Sequence, residues 1–252
     1  MKPLIAKVRP KRGFARVTHY VLLGLLPVVV FVLVRVDFVA VAVALVLLSK
    51  WRMLAVKPRF WPANIRANSV DILVGLAILI FMTQTGSQLW QLVWTGLHIV
   101  WLTVIKPAAN TLMIGIQALI GFLTGLGALF MIGDAAPALA LVFATGMICY
   151  LCAHHFFDGF SEAYTRLLSY TWAFFGAGLV WVLSHWLLYY PSTGIIAQPL
   201  LILVPIGYGL AAIYYLDHTD RLSSSVRNQF VFVMCIWVVI ILGLSDWSDK
   251  IV

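Results

Sequence analysis

Apolar residues fall in long blocks separated by short polar stretches, at 18–34, 36–54, 69–84, 86–105, 109–131, 136–154, 168–189, 196–215 and 229–245. A helix rises about 1.5 Å per residue and a bilayer's hydrocarbon core is about 30 Å thick, so a crossing needs about 20 residues. The pattern predicts an all-α fold: a polytopic membrane bundle of about nine transmembrane helices.

Two blocks depart from the simple pattern. In 36–54 the purely apolar part stops at Leu48. A crossing there must borrow Trp51, Met53 and Leu54, with Lys50 and Arg52 snorkelling to the interface. The alternative is a re-entrant hairpin built from the first two blocks, with Arg35 and Asp37 paired at its tip. The block at 86–105 carries Gln88, Gln91, Thr95 and His98 at helical spacing, a polar stripe on an apolar cylinder. It either crosses or lies flat on the membrane.

Composition makes lipid the solvent. The 252 residues are 63% hydrophobic and 10% charged, with a mean hydropathy of +1.00, against about 45–50% and about 25% for soluble domains. The formal charge of +8 suggests nucleic acid at first, but no nucleic-acid motif accompanies it. In a membrane protein excess Lys and Arg report orientation. With nine crossings and a cytoplasmic N-terminus, all but Arg35 and Lys250 of the 17 basic residues lie inside. If 86–105 lies flat, Lys106, Arg166, Arg221 and Arg227 move outside and the bias weakens. The expectation is therefore nine crossings with the C-terminus outside.

Residues 1–17 then form a basic cytoplasmic segment. No small-residue cleavage site follows the first block, so it reads as a retained signal-anchor. Residues 50–68 form a basic interfacial loop in which Lys50, Arg52, Lys57, Arg59 and Arg66 meet anionic headgroups, while Pro58 and Pro62 prevent a long helix. Loops are too short for a soluble domain, so 1–252 is read as one membrane domain. The absence of a glycosylation sequon fits a bacterial cytoplasmic membrane.

Candidate chemistry concentrates in YLCAHHFFDGFSEAYTR, residues 150–166. On a continuous helix His154, His155, Asp158, Glu162, Thr165 and Arg166 share an arc of about 120°. His154/Asp158 and Asp158/Glu162 stand four residues apart, a spacing that lets them share a cation. A solvated amphipathic helix end shows the same pattern. Asp71, Asp217 and Asp220 lie on the same side of the membrane and complete a candidate polar cluster. NSVD around Asp71 and DHTD at Asp217 fall short of the longer aspartate motifs of polytopic prenyltransferases.

Cys149 and Cys152 face away from the His154 side and are read as packing residues. All three cysteines lie in apolar runs, which argues against a disulfide framework. His98 and His185 are too far apart in depth, roughly ten ångströms or more at helical rise, to clamp one haem. No cofactor and no metal is assigned. Gln88, Gln91, Thr95, His98, Asn110 and Gln117 form a candidate polar path, and Pro205 with Gly207 and Gly209 a candidate kink. Gly121 and Gly125 permit close helix approach, within the chain or between protomers.

Three functional readings follow. The favoured one is a non-enzymatic structural or assembly component of a membrane complex, with other membrane subunits or further copies of itself as partners. The second is a permease or channel for a small neutral solute along the polar path. The third is a membrane enzyme acting at the inner face on a lipid-linked substrate.

Overall fold

The computed structural model describes residues 13–133, 136–185 and 197–244. Its helices are α1 (Gly13–Arg35), α2 (Val39–Leu48), α3 (Trp61–Ala67), α4 (Ser69–Gln84), α5 (Gln88–Val100), α6 (Thr111–Ile132), α7 (Ala138–Gly159), α8 (Thr165–Leu183), α9 (Gln198–His218) and α10 (Ser224–Gly243). α5 continues directly into a π-helical turn, Trp101–Ile105. Among the described residues six helices are long and apolar enough to cross a membrane: α5 with its π-turn, and each of α6 to α10. A seventh span results if Pro58–Ala67 and α4, bent by 59°, count as one.

The two doubtful blocks resolve differently. α2 has ten residues, which rise about 15 Å, half the hydrocarbon thickness. Trp51–Met53 forms a separate 3-10 turn and does not extend it. The Arg35–Asp37 ion pair expected at the α1–α2 tip does not form; both side chains are exposed. The backbone closes that tip. Phe38 N donates to Leu33 O at 2.8 Å and Asp37 N to Val34 O at 3.2 Å, with Asp37 at φ 62°. This pair of hydrogen bonds is a Schellman cap, in which a left-handed residue and the one after it donate to the last free carbonyls of the helix.

The same device ends α7 and α9, with Ser161 at φ 57° and Asp220 at φ 55°. Glu162 N reaches Phe157 O at 3.1 Å, and Arg221 N reaches Leu216 O at 2.8 Å. Side-chain chemistry sets three helix starts. Asn110 caps α6 by accepting from Met113 N at 2.7 Å, Ser223 caps α10, and Pro199 sits in the first turn of α9, where a missing N–H costs nothing. α9 runs unbroken through Pro205.

α4, α6 and α7 form the centre, where Val70, Val74, Phe122, Leu126, Ile148 and Cys152 belong to one buried cluster. Glycines set the spacing. A Cβ on Gly121 would lie 2.7 Å from Val70 Cγ1, and one on Gly125 2.8 Å from Leu73 Cδ2. The glycine face of α6 is therefore taken up inside the chain, against α4. Cys149 packs onto Gly176 of α8 and Cys152 onto Gly121 of α6. α10 lies at the edge. It seats Met234 against Gly209 of α9, donates from Trp237 Nε1 to Leu201 O at 2.8 Å, and turns most of its apolar residues outward.

The 50–68 segment is folded and compact. Trp61 Nε1 donates to Leu54 O at 3.1 Å and Val56 O at 3.0 Å, and Asn64 Nδ2 donates to Met53 O. Pro62 is accommodated in the first turn of the short α3, so no long helix forms.

Candidate functional site

Asp71 stands in the first turn of α4, 8% exposed. A carboxylate taken out of water needs a counter-charge and hydrogen bonds, or it gives up its charge. Two lysines answer it. Lys50 Nζ, from the turn after α2, approaches Oδ2 at 2.5 Å, and Lys106 Nζ, from the end of the π-turn, binds the same oxygen. Trp101 Nε1 donates to Oδ1 at 3.0 Å. Lys50 and Lys106 are 11% and 35% exposed. The group carries one net positive charge and ties three separate segments together.

The π-turn makes this geometry. At about 100° per residue, Trp101 and Lys106 would point about 140° apart on an α-helix. The bond from Lys106 N to Trp101 O, 2.9 Å, closes the turn over five residues and brings both side chains onto Asp71. Lys50, expected at the lipid headgroups, is a correction: Asp71 draws it inward. Lys57 and Arg59 remain exposed, with the Arg59 guanidinium over the Phe60 ring at 4.6 Å. Arg66 is half-buried, and the Arg52 side chain lies outside the described residues.

From Asp71 a polar seam continues between α4 and α5. His98, Thr95 and Gln91 project from one face of α5 and are buried. Gln91 Nε2 donates to Met82 O at 3.1 Å and Thr85 O at 3.0 Å. Thr95 Oγ1 donates to Gln91 O. Two buried atoms along the seam, Gln91 Oε1 and His98 Nδ1, have no hydrogen-bond partner.

Gln117 belongs to a second group. Its Nε2 donates to Ile105 O at 2.7 Å and Ala108 O at 2.8 Å, and its Oε1 lies 3.1 Å from His155 Nε2. His155 thus donates from Nε2. Gln88 and Asn110 are exposed at helix starts, and Asn110 serves as the α6 cap. Of the six residues of the polar path, the structure lines up Gln91, Thr95 and His98, places Gln117 under the α5–α6 connection and leaves two at the surface.

The continuous arc over 154–166 does not exist. α7 ends at Gly159, whose missing side chain lets Ile114 of α6 approach, and the left-handed Ser161 reverses the chain. Glu162 therefore leaves the face of His154 and Asp158 and turns to α9. It accepts from Tyr214 Oη at 2.6 Å and from Tyr164 N at 3.3 Å. The Tyr214 hydroxyl and the Tyr164 amide hold its carboxyl below the ordinary value of 4.5. His154 is buried beside the Tyr150 ring, whereas Asp158, Asp217 and Asp220 are exposed. Among the described residues no three His, Cys, Asp or Glu side chains gather closely enough to share a metal ion.

Lys50, Lys106 and Trp101 were not legible as partners of Asp71. One signal was available: Asp71 is the only acid between Asp37 and Asp134, so lysines in that stretch have no other carboxylate nearby in sequence. Comparison with known protein families, with characterised proteins and with solved structures finds no match to this chain.

Proposed function

We propose that this is a non-enzymatic multi-pass membrane protein, a structural or assembly component of a membrane complex. It sits in a bacterial cytoplasmic membrane with its N-terminus in the cytoplasm and its C-terminus outside. Six of the described helices are long and apolar enough to cross, and the bent α3–α4 pair makes a seventh; nine crossings require α1 and the half-length α2 to pass through as well, with the bilayer thinned around α2. Lys57 and Arg59 meet anionic headgroups. One observation carries the functional reading: Asp71, Glu162 and His155, three of the groups that chemistry would draw on, are committed to holding the chain's own segments together. Asp71 joins α2, α4 and the π-turn; Glu162 joins the α7–α8 turn to α9; His155 joins α7 to α6. What the protein presents to the membrane is apolar, most fully on α10, and a helix from another subunit or a second copy packs there.

Cys235 tests this directly, because it is exposed on α10 while Cys149 and Cys152 are buried. Bifunctional thiol reagents applied to native membranes join Cys235 to a neighbouring chain. If no species heavier than the 28.0 kDa chain forms with reagents of several lengths, including lysine-directed ones, the reading falls. A permease is the second reading, and the unpartnered Gln91 Oε1 and His98 Nδ1 favour it, since buried polar atoms without a protein partner are where internal water sits.

A further inference from the structure

Lys50 and Lys106 are more than Asp71 requires. Two ammonium groups present six N–H donors, and among the described residues a single oxygen, Asp71 Oδ2, is the only acceptor that either one meets. The neighbouring helix ends supply no other. At the end of α2, Leu45 O, Val46 O and Leu47 O are occupied by Ser49 N, Ser49 Oγ and Lys50 N. At the π-turn, Trp101 O is occupied by Lys106 N and Ile105 O by Gln117 Nε2. Lys50 is nearly as buried as the carboxylate, with side chains 11% and 9% exposed, so the donors it leaves over are not open to bulk water. A charge taken out of water needs a counter-charge, and one of the two positive charges has none here.

The group also lies deep. Val70, beside Asp71, packs on Gly121 of α6, and Cys152 of α7 faces the same glycine. From Thr111, where α6 starts, to Gly121 is about 15 Å along the helix, and from Cys152 to Gly159, where α7 ends, about 10 Å. Both helices are long and apolar enough to cross, so the group stands well below the membrane surface. An ammonium is not left facing acyl chains at such depth, yet the Lys106 side chain is 35% exposed. It therefore opens onto a polar recess. α2 stops and α4 starts at this level, and non-helical backbone at membrane depth is tolerated only inside protein or along a water-filled cavity. Half-helices meeting around fixed charges are the arrangement in which membrane proteins hold ions.

We infer that Lys50 and Lys106 together bind one phosphate-type oxyanion, either the phosphodiester of a lipid headgroup or free phosphate. Both ammonium nitrogens touch the same carboxylate oxygen, so they stand no farther apart than about 5 Å, twice the Lys50 contact. Charge-assisted N–H···O bonds run to about 2.9 Å, so one ligand oxygen spans the pair. Lysine takes phosphate as a point charge, and a singly charged oxyanion brings the group to neutrality. The inference stands apart from the assembly reading, because it concerns the interior of the chain and not the face presented to a partner.

Thermal unfolding of the full chain in neutral detergent, at fixed ionic strength, is followed with inorganic phosphate in one arm. The other arm holds phosphatidylglycerol, against diacylglycerol with the same acyl chains. The expected result is a saturable rise in midpoint of about 5 °C in at least one arm. A rise with inorganic phosphate identifies a soluble ligand, and a rise with phosphatidylglycerol alone a headgroup. Lys106→Met abolishes the increment while Asp71 keeps Lys50, and Lys106→Arg retains it. Replacing the exposed Lys57 and Arg59 by glutamine leaves it intact. The absence of a saturable rise in both arms for the wild-type protein overturns the inference, with hydrated ammonium groups as the answer. So does an increment that survives in Lys106→Met or disappears with Lys57 and Arg59.

Discussion

His98 shows most plainly what a single residue reports in this protein. It is 2% exposed and faces Gly75 of α4, where a Cβ would stand 3.9 Å from its Nε2. Its Nδ1 has no partner, yet Thr95 and Gln91 on the same face bond back to backbone carbonyls. A seam that only holds helices together stays dry, whereas a path carries water. Cysteines placed singly at 91, 95 and 98, in a Cys235→Ser background, should therefore resist a membrane-impermeant thiol reagent. Modification at all three positions would replace the assembly reading with the permease. The polar stripe was legible from spacing alone, because 91, 95 and 98 share a face on any α-helix. Its direction was not, since periodicity does not say what lies opposite.

At the scale of elements, Asp71 and its two lysines act as a clamp on α2, α4 and the π-turn. Removing one partner of a buried pair is costly because the other charge is left without compensation, but here either lysine can compensate alone. Lys50→Met and Lys106→Met should each lower stability by about 1 kcal/mol, with Lys50 the larger because it is the more buried, and the double variant by about 3–5 kcal/mol. Thermal unfolding in detergent measures this, and strictly additive losses would show that Asp71 is not shared. The clamp exists because the π-turn rephases Trp101 and Lys106. A regular 3.6-residue period places them apart, which is why Asp71 was identifiable as a candidate and its partners were not. The break of α7 is similar. Gly159 and Ser161 were visible, but the close approach of Ile114 that requires the glycine arises only from the packing of α6 on α7.

For the whole molecule, charge and packing bear on different questions. The distribution of Lys and Arg argues for nine crossings and an external C-terminus, and a tag placed there should be accessible to a reagent added outside intact cells. A tag labelled only after the membrane is permeabilised would reverse the orientation proposed above.

Hydropathy is enough to make this chain a bundle of apolar helices long enough to cross a membrane, because that conclusion depends on how much apolar surface the chain carries and in what lengths. It also marks the run from Phe230 to Leu242 in α10 as apolar throughout. Contacts between segments distant in sequence decided the rest: that the Gly121 and Gly125 face is used within the chain, that Lys50 turns from the membrane surface to Asp71, and that Glu162 bonds α9 instead of joining His154. Each of those outcomes depends on which helix stands opposite. That is a property of the assembled bundle, and no local period or composition encodes it.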